Sequence, residues 1–107
     1  MATTKEYIEY VCAQIAGTGE IRYRKMFGEF MVYVNDKPVV IVCDNTPYVK
    51  KLDGISGMMQ HAETGFPYDG AKEHYVLDID DAEFSRAVVA ELERLIPVPK
   101  PRKKKQR

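Results

Sequence analysis

The sequence predicts an α+β domain, with an antiparallel sheet of about four to five strands packed with an N-terminal helix, a C-terminal helix and a short middle helix. Apolar residues recur at helical spacing near both ends of the chain. The strand-like segments between them are joined by short turns, and such clustering is typical of this class. The length of 107 residues fits one domain, residues 1–97, followed by a basic tail, residues 98–107, that we expect to be disordered.

The two terminal helices are predicted from their apolar stripes. Residues 5–16 and 81–95 each place apolar side chains at intervals of three and four, which makes one buried face per helix. Thr3 and Asp80 are the expected N-caps, because each is followed three residues later by a glutamate.

The middle of the chain is predicted to be rich in strands. Turn-forming pairs of Asn and Asp separate short runs of β-branched and aromatic residues, which is typical of hairpins. A short helix weakened by two glycines is expected over residues 53–63. The predicted strands are residues 21–26, 30–34, 39–43, 48–51 and 74–79.

Two of these strands, residues 30–34 and 39–43, are apolar on both faces. A strand with one solvent-exposed face should alternate between apolar and polar residues. The pattern therefore predicts that both faces of this hairpin are covered. We expect a protein partner, or a homodimer formed through one face of this hairpin. The alternative is that the loop over residues 65–72 folds over the same face. The predicted self-association residues are Met31, Tyr33, Val40 and Val42, or their neighbours on the opposite face.

No constellation of residues predicts catalysis, a cofactor or a metal ion. His61 and His74 are isolated from other ligands in the sequence, and Ser56 lacks the spacing of a nucleophile elbow. Cys12 and Cys43 lie in apolar patterns and are expected to be reduced, buried thiols. The sequence therefore predicts a protein that is not an enzyme.

The formal net charge of zero hides a separation of charge along the chain. Residues 100–107 contain six basic side chains and no acidic one, whereas residues 1–99 contain 10 basic and all 16 acidic residues. The tail is the candidate nucleic-acid contact. A second basic segment, Arg22, Arg24 and Lys25 with Tyr23, is similar to strands that hold nucleic acid or is simply a solvated strand face. The candidate tail contacts are Lys100, Arg102, Lys103, Lys104, Lys105 and Arg107.

The chain is expected to be cytoplasmic and free of membrane spans. It opens on polar and charged residues, so no secretory signal is predicted. Its longest apolar run, residues 39–43, is far shorter than the roughly 20 residues that a transmembrane helix needs.

The segment Arg24-Lys25-Met26-Phe27-Gly28 resembles a motif of the TfoX/Sxy family, in the N-terminal domain of its members. The agreement continues in order over residues 5–96, and Glu29 departs from it because members often carry a second glycine there. The resemblance implies an α+β fold and a link to the regulation of competence or transcription, and it supplies no catalytic residue. Phe27 is expected to be a core anchor. The later matching pieces are residues 30–34, Asn35-Asp36, residues 39–43, Tyr48-Val49-Lys50, Phe66-Pro67-Tyr68 and the strand with Tyr75.

Three functions remain open from the sequence. The first is a non-enzymatic regulatory or protein-interaction module of the TfoX N-terminal type. The second is a nucleic-acid-associated module that uses the basic tail, which strong salt dependence would reveal. The third is a small-molecule binder or an enzyme without a recognisable motif, which a pocket of converging polar groups would favour.

Overall fold

The computed structural model describes residues 3–26 and 29–97. Within these ranges six strands form one antiparallel sheet and two α-helices accompany it, which confirms the predicted α+β class. The sheet has six strands, one more than the largest number predicted, which was five. The elements are α1 (Lys5–Gln14), β1 (Ile21–Met26), β2 (Glu29–Val34), β3 (Lys37–Cys43), β4 (Thr46–Lys50), β5 (Thr64–Gly65), β6 (His74–Val76) and α2 (Ala82–Leu95).

The strands follow the order β1-β2-β3-β4-β6-β5, and every neighbouring pair is antiparallel. Two-residue turns, Asn35-Asp36 and Asp44-Asn45, connect β2 to β3 and β3 to β4. All four turn residues have positive φ, between 52° and 68°. Such turns match the twist of a hairpin, and Asn and Asp tolerate this backbone conformation better than other residues with side chains.

Both helices pack on the same face of the sheet, here called the covered face. Their apolar stripes meet the alternate residues of the central strands in one hydrophobic core. The other side is called the open face, because no described helix lies on it. The core includes Ile8, Val11 and Ile15 of α1, Val88, Val89 and Leu92 of α2, and Phe30, Val32, Val34, Val40, Val42 and Val49 of the strands.

A β-bulge in β3 explains part of the unusual apolar pattern of the hairpin. Val32 pairs with Val40, but Tyr33 pairs with Pro38, so Val39 is the extra residue. Val39 and Val40 are both buried although they are consecutive. The two adjacent valines therefore do not indicate that both faces of β3 are buried, because the bulge breaks the alternation.

The N-caps lie one residue beyond the predicted Thr3 and Asp80. Thr4 caps α1 and Asp81 caps α2, and each side chain accepts a hydrogen bond from the backbone N–H three residues ahead. Thr3 instead donates its hydroxyl hydrogen to Glu29 Oε1 at 2.7 Å. Adjacent residues of capping type compete for this role, and tertiary contacts decide between them.

The predicted middle helix, residues 53–63, is reduced to a single 3-10 turn at Asp53–Ile55. Gly54 lies so close to α2 that a Cβ atom there would approach Leu95 Cδ1 to 2.4 Å. The glycine thus allows this turn to pack against the end of the helix, and its low helix propensity disfavours a longer helix.

The far edge of the sheet also differs from the prediction. The expected strand over residues 74–79 ends at Val76, and two residues, Thr64–Gly65, form the short strand β5 beside it. A two-residue strand has too few positions to show alternation in a sequence.

Several predictions fall outside the described residues. These are the role of Phe27 as a core anchor, the disorder of residues 98–107 and the nucleic-acid contacts assigned to the six tail cations, and all of them stay predictions. Over residues 3–26 and 29–97, no helix is both long and apolar enough to cross a membrane.

Candidate functional site

A row of four uncharged side chains crosses the open face of the sheet. Met31 pairs with Ile41, Ile41 with Tyr48, and Tyr48 with Val76, so one residue from each of β2, β3, β4 and β6 lies at the same level. All four are half-buried. We call these four residues the apolar row.

The structure separates the four residues that the sequence predicted for self-association. Met31 and Tyr33 lie on the open face, whereas Val40 and Val42 are fully buried on the covered face. The grouping was wrong because the register places Val40 and Val42 opposite buried residues of β2. Ile41 is the residue of β3 that belongs with Met31 on the open face.

The loop offered as an alternative cover does not bury its aromatic rings. Phe66 is 62% exposed and Tyr68 is 59% exposed, so neither ring is packed over the apolar row. Only Pro67, between them, is buried. The two rings of this loop therefore do not cover the apolar row, although His74, which lies on the same face beside it, is buried.

A basic edge adjoins the apolar row on β1. Arg22 pairs with Tyr33 and Arg24 pairs with Met31, which places both arginines on the open face. Arg22, Arg24 and Tyr33, together with Tyr23 and Asp36, line a hollow of about 490 Å³, here called the basic hollow. Arg22 forms an ion pair with Asp36.

The aromatic partner of these arginines differs from the predicted one. Tyr23 and Lys25 lie in the positions of β1 that alternate with the two arginines, and the Tyr23 ring packs edge-on against Phe30 of the core at 5.4 Å. Tyr33, from the neighbouring strand, lies directly opposite Arg22 instead. Only the hairpin register brings them together, so no local sequence pattern could have shown it.

Charge is distributed unevenly between the sheet and the rest of the domain. The strands carry five basic side chains and one acidic side chain, Glu29, while the other 15 acidic residues lie outside the strands. The sheet is thus the positively charged part of an otherwise acidic body. Its basic residues are Arg22, Arg24, Lys25, Lys37 and Lys50.

Glu29, which follows the segment Arg24-Lys25-Met26-Phe27-Gly28, has a structural role. Its Oε1 atom accepts hydrogen bonds from the Thr3 hydroxyl at 2.7 Å and from the Asp44 backbone N–H at 3.0 Å. The carboxylate thus ties the start of α1 and the β3–β4 turn to the beginning of β2. Of that segment, Arg24, Lys25 and Met26 end β1, and Phe27 and Gly28 lie outside the described residues.

A larger groove, of about 580 Å³, lies beside the start of α2. Met58 and Phe84 contribute apolar surface, and four carboxylates and His61 line it. Two of these carboxylates already serve the fold, because Asp81 caps α2 and Asp80 accepts a hydrogen bond from the Tyr10 hydroxyl. Within residues 3–26 and 29–97, no group of three or more His, Cys, Asp or Glu residues could hold a metal ion.

The residues considered as nucleophiles are not activated. Burial raises the pKa of the Cys43 thiol to about 11, with Glu29 and Asp44 adding to the effect, and burial also raises the pKa of Cys12. Ser56 donates its hydroxyl hydrogen to the Asp53 carbonyl at 2.9 Å. A nucleophile needs a lowered pKa or an adjacent base.

The two histidines do not come together. His61 lines the acidic groove, whereas His74 is buried in β6 with Nδ1 2.7 Å from the Lys72 carbonyl oxygen. The Nε2 atom of His74 has no hydrogen-bond partner among the described residues.

Comparison with known proteins identifies a relative that aligns along almost the whole of this chain. No protein-family model matches the chain. It is 35% identical over 107 residues to an uncharacterised 12.7 kDa protein in the trpE 5′ region of Spirochaeta aurantia, across 98% of this chain and 93% of that protein. The chain belongs to the family of that spirochaete protein.

Proposed function

We propose that this chain is a non-enzymatic regulatory or protein-interaction module that acts in the cytoplasm and resembles the N-terminal domain of TfoX-type regulators. The observation that carries the proposal is the apolar row of Met31, Ile41, Tyr48 and Val76, which crosses four strands on the face of the sheet where no described helix lies. Continuous apolar surface of this kind marks interaction sites more often than ordinary solvated surface.

The non-enzymatic part of the proposal is supported by the state of the thiols. A pKa of about 11 keeps Cys43 protonated near neutral pH, and Cys12 is shifted in the same direction. The protonated thiol is a poor nucleophile.

A second copy of the chain is the partner we propose for the apolar row. None of its four side chains carries a charge, so two copies of the row can meet without opposing like charges. A two-fold dimer requires only one self-complementary patch, and it is the commonest closed assembly. The ring of Tyr48 is seated against Gly65, where a Cβ atom would approach Cε1 to 3.2 Å, so the row has a supported aromatic side chain near its end.

Sedimentation velocity at micromolar concentration tests this function. We expect a dimer for the natural chain and a monomer for Ile41→Lys, because the substitution places a charge in the middle of the row. Met58→Lys is the matched control, since Met58 is an exposed apolar residue outside the row. A natural chain that stays monomeric, or a dimer that Ile41→Lys leaves intact, would contradict the proposal.

The basic tail favours a second candidate function, association with nucleic acid. Its six positive charges and absence of negative ones suit non-specific phosphate binding. Deletion of residues 98–107 should then abolish binding to duplex DNA, and binding that persists after the deletion would exclude the tail as its source.

A further inference from the structure

The basic hollow combines two cations and an aromatic ring on one exposed corner of the sheet. Arg22 and Arg24 are both exposed and lie two residues apart on β1, so their side chains leave the same face of this edge strand. Tyr33 lies on β2 opposite Arg22, two residues from Met31 of the apolar row, and is half-buried. The hollow's volume of about 490 Å³ falls within the range of small-ligand sites.

The two guanidinium groups favour a ligand with more than one phosphate. Guanidinium binds phosphate through paired, charge-assisted hydrogen bonds. Residues two apart on a strand are separated by about 6.8 Å, so two cations at this spacing suit a repeating anion better than a single one. The surrounding strands are also the basic part of the domain.

The existing contacts of these arginines can be exchanged for a ligand. The Arg22–Asp36 ion pair is exposed, with side chains 63% and 60% accessible, and exposed pairs contribute little to stability. Within the described part of the chain, Arg24 has no carboxylate partner at ion-pair distance. Arg24 is therefore available to bind an anionic ligand, and Arg22 can exchange Asp36 for such a ligand with little loss of stability.

We propose that the basic hollow binds single-stranded nucleic acid, with phosphates on Arg22 and Arg24 and a base stacked on Tyr33. An aromatic ring beside cations on an exposed sheet is a platform for unpaired bases, which present free faces for stacking. A duplex keeps its bases stacked inside, so it would gain only the phosphate contacts. The inference goes beyond the proposed function and does not depend on the apolar row.

Fluorescence anisotropy with the full chain tests the inference, using a labelled oligo-dT strand and a duplex of the same length. Arg24→Gln and Lys25→Gln form a matched pair, since each removes one charge from neighbouring residues on opposite faces of β1. We expect Arg24→Gln to weaken single-strand binding about fivefold or more, and to lower the slope of log affinity against log salt by about 0.7. Lys25→Gln should change the affinity for the single strand by less than about twofold, because in the proposed complex the Lys25 side chain contacts no phosphate.

The stacking contact is tested separately at Tyr33. Tyr33→Leu should weaken single-strand binding about fivefold or more, and Tyr33→Phe should retain it, because the ring and not the hydroxyl stacks. Circular dichroism melts of each variant establish that the fold is kept. The natural chain should bind the single strand more tightly than the duplex.

Three results would overturn the inference. They are equal effects of Arg24→Gln and Lys25→Gln, an unchanged affinity in Tyr33→Leu, and duplex binding as tight as single-strand binding. The first two would assign the binding to the general positive field or to the basic tail. Anisotropy measures the binding of nucleic acid, whereas sedimentation measures self-association, so the inference and the proposed function can fail independently.

Discussion

Met31 and Ile41 face each other across β2 and β3 on the side of the sheet that neither helix covers. Both are half-buried, whereas Val40, the next residue along β3, is fully buried beneath the helices. One step along a strand thus separates the hydrophobic core from the open face. The proposed interaction surface depends on this assignment of residues to the two faces.

Substitutions at these neighbouring positions should differ sharply in their effect on stability. Val40→Lys places a charge in the core and should lower the free energy of unfolding by roughly 3 kcal/mol or more. Ile41→Lys places the same charge on the open face and should lower it by less than about 1.5 kcal/mol. Denaturant melts at low protein concentration measure both values. Similar losses for the two variants would show that the faces are assigned wrongly.

Much of the fold could be predicted from the sequence, because most buried side chains follow the period of their own element. The stripes of the terminal helices and the Asn35-Asp36 turn lead directly to the observed helices and hairpin. The bulge at Val39 could not be predicted, since an extra residue in an apolar strand leaves no local signal. The short strand β5 has too few residues for a pattern.

The candidate site was harder to predict than the fold. Tyr33 and Arg22 are 11 positions apart, and only the hairpin register brings them opposite each other. The error at Val40 and Val42 has the same origin, because the sequence alone does not show which side of a two-sided apolar strand the helices cover. Alternation assigns residues to two sets, and tertiary packing decides which set is buried.

The cap of α2 should make a measurable contribution to stability. Asp81 Oδ1 accepts a hydrogen bond from the Phe84 backbone N–H at 3.0 Å. Asp81→Ala should therefore lower the free energy of unfolding by about 1 kcal/mol, because it leaves that N–H without its partner. Asp81→Asn should keep most of the stability, since an asparagine oxygen also caps. If Asp81→Ala melts like the natural chain in denaturant, the capping role is excluded.

The Cys43 thiol should titrate far above the range of a free cysteine. Burial, assisted by Glu29 and Asp44, raises its pKa to about 11 from an ordinary value of 9.0. Thiolate absorbance in a Cys12→Ser background should have its midpoint near that raised pKa. A midpoint at or below the ordinary value would contradict the burial of this side chain.

The same shift has a consequence for stability. The folded state holds the Cys43 proton more tightly than the unfolded state. The resulting contribution of Cys43 to the free energy of unfolding is fully present below the unfolded pKa of about 9 and is lost as the pH rises through about 11. Cys43→Ala should flatten the pH dependence of stability in that window. Melts of both proteins across the window measure the difference, and parallel pH profiles would exclude the linkage.

Intermolecular nuclear Overhauser effects between labelled and unlabelled copies test the central claim most directly. If a second copy covers the apolar row, the methyl groups of Met31 and Ile41 will show contacts to the other copy, and the Val40 methyl groups will show only contacts within their own chain. Contacts that map instead to the exposed surface of α1 or α2, or a sample with no intermolecular contacts at millimolar concentration, would contradict the account.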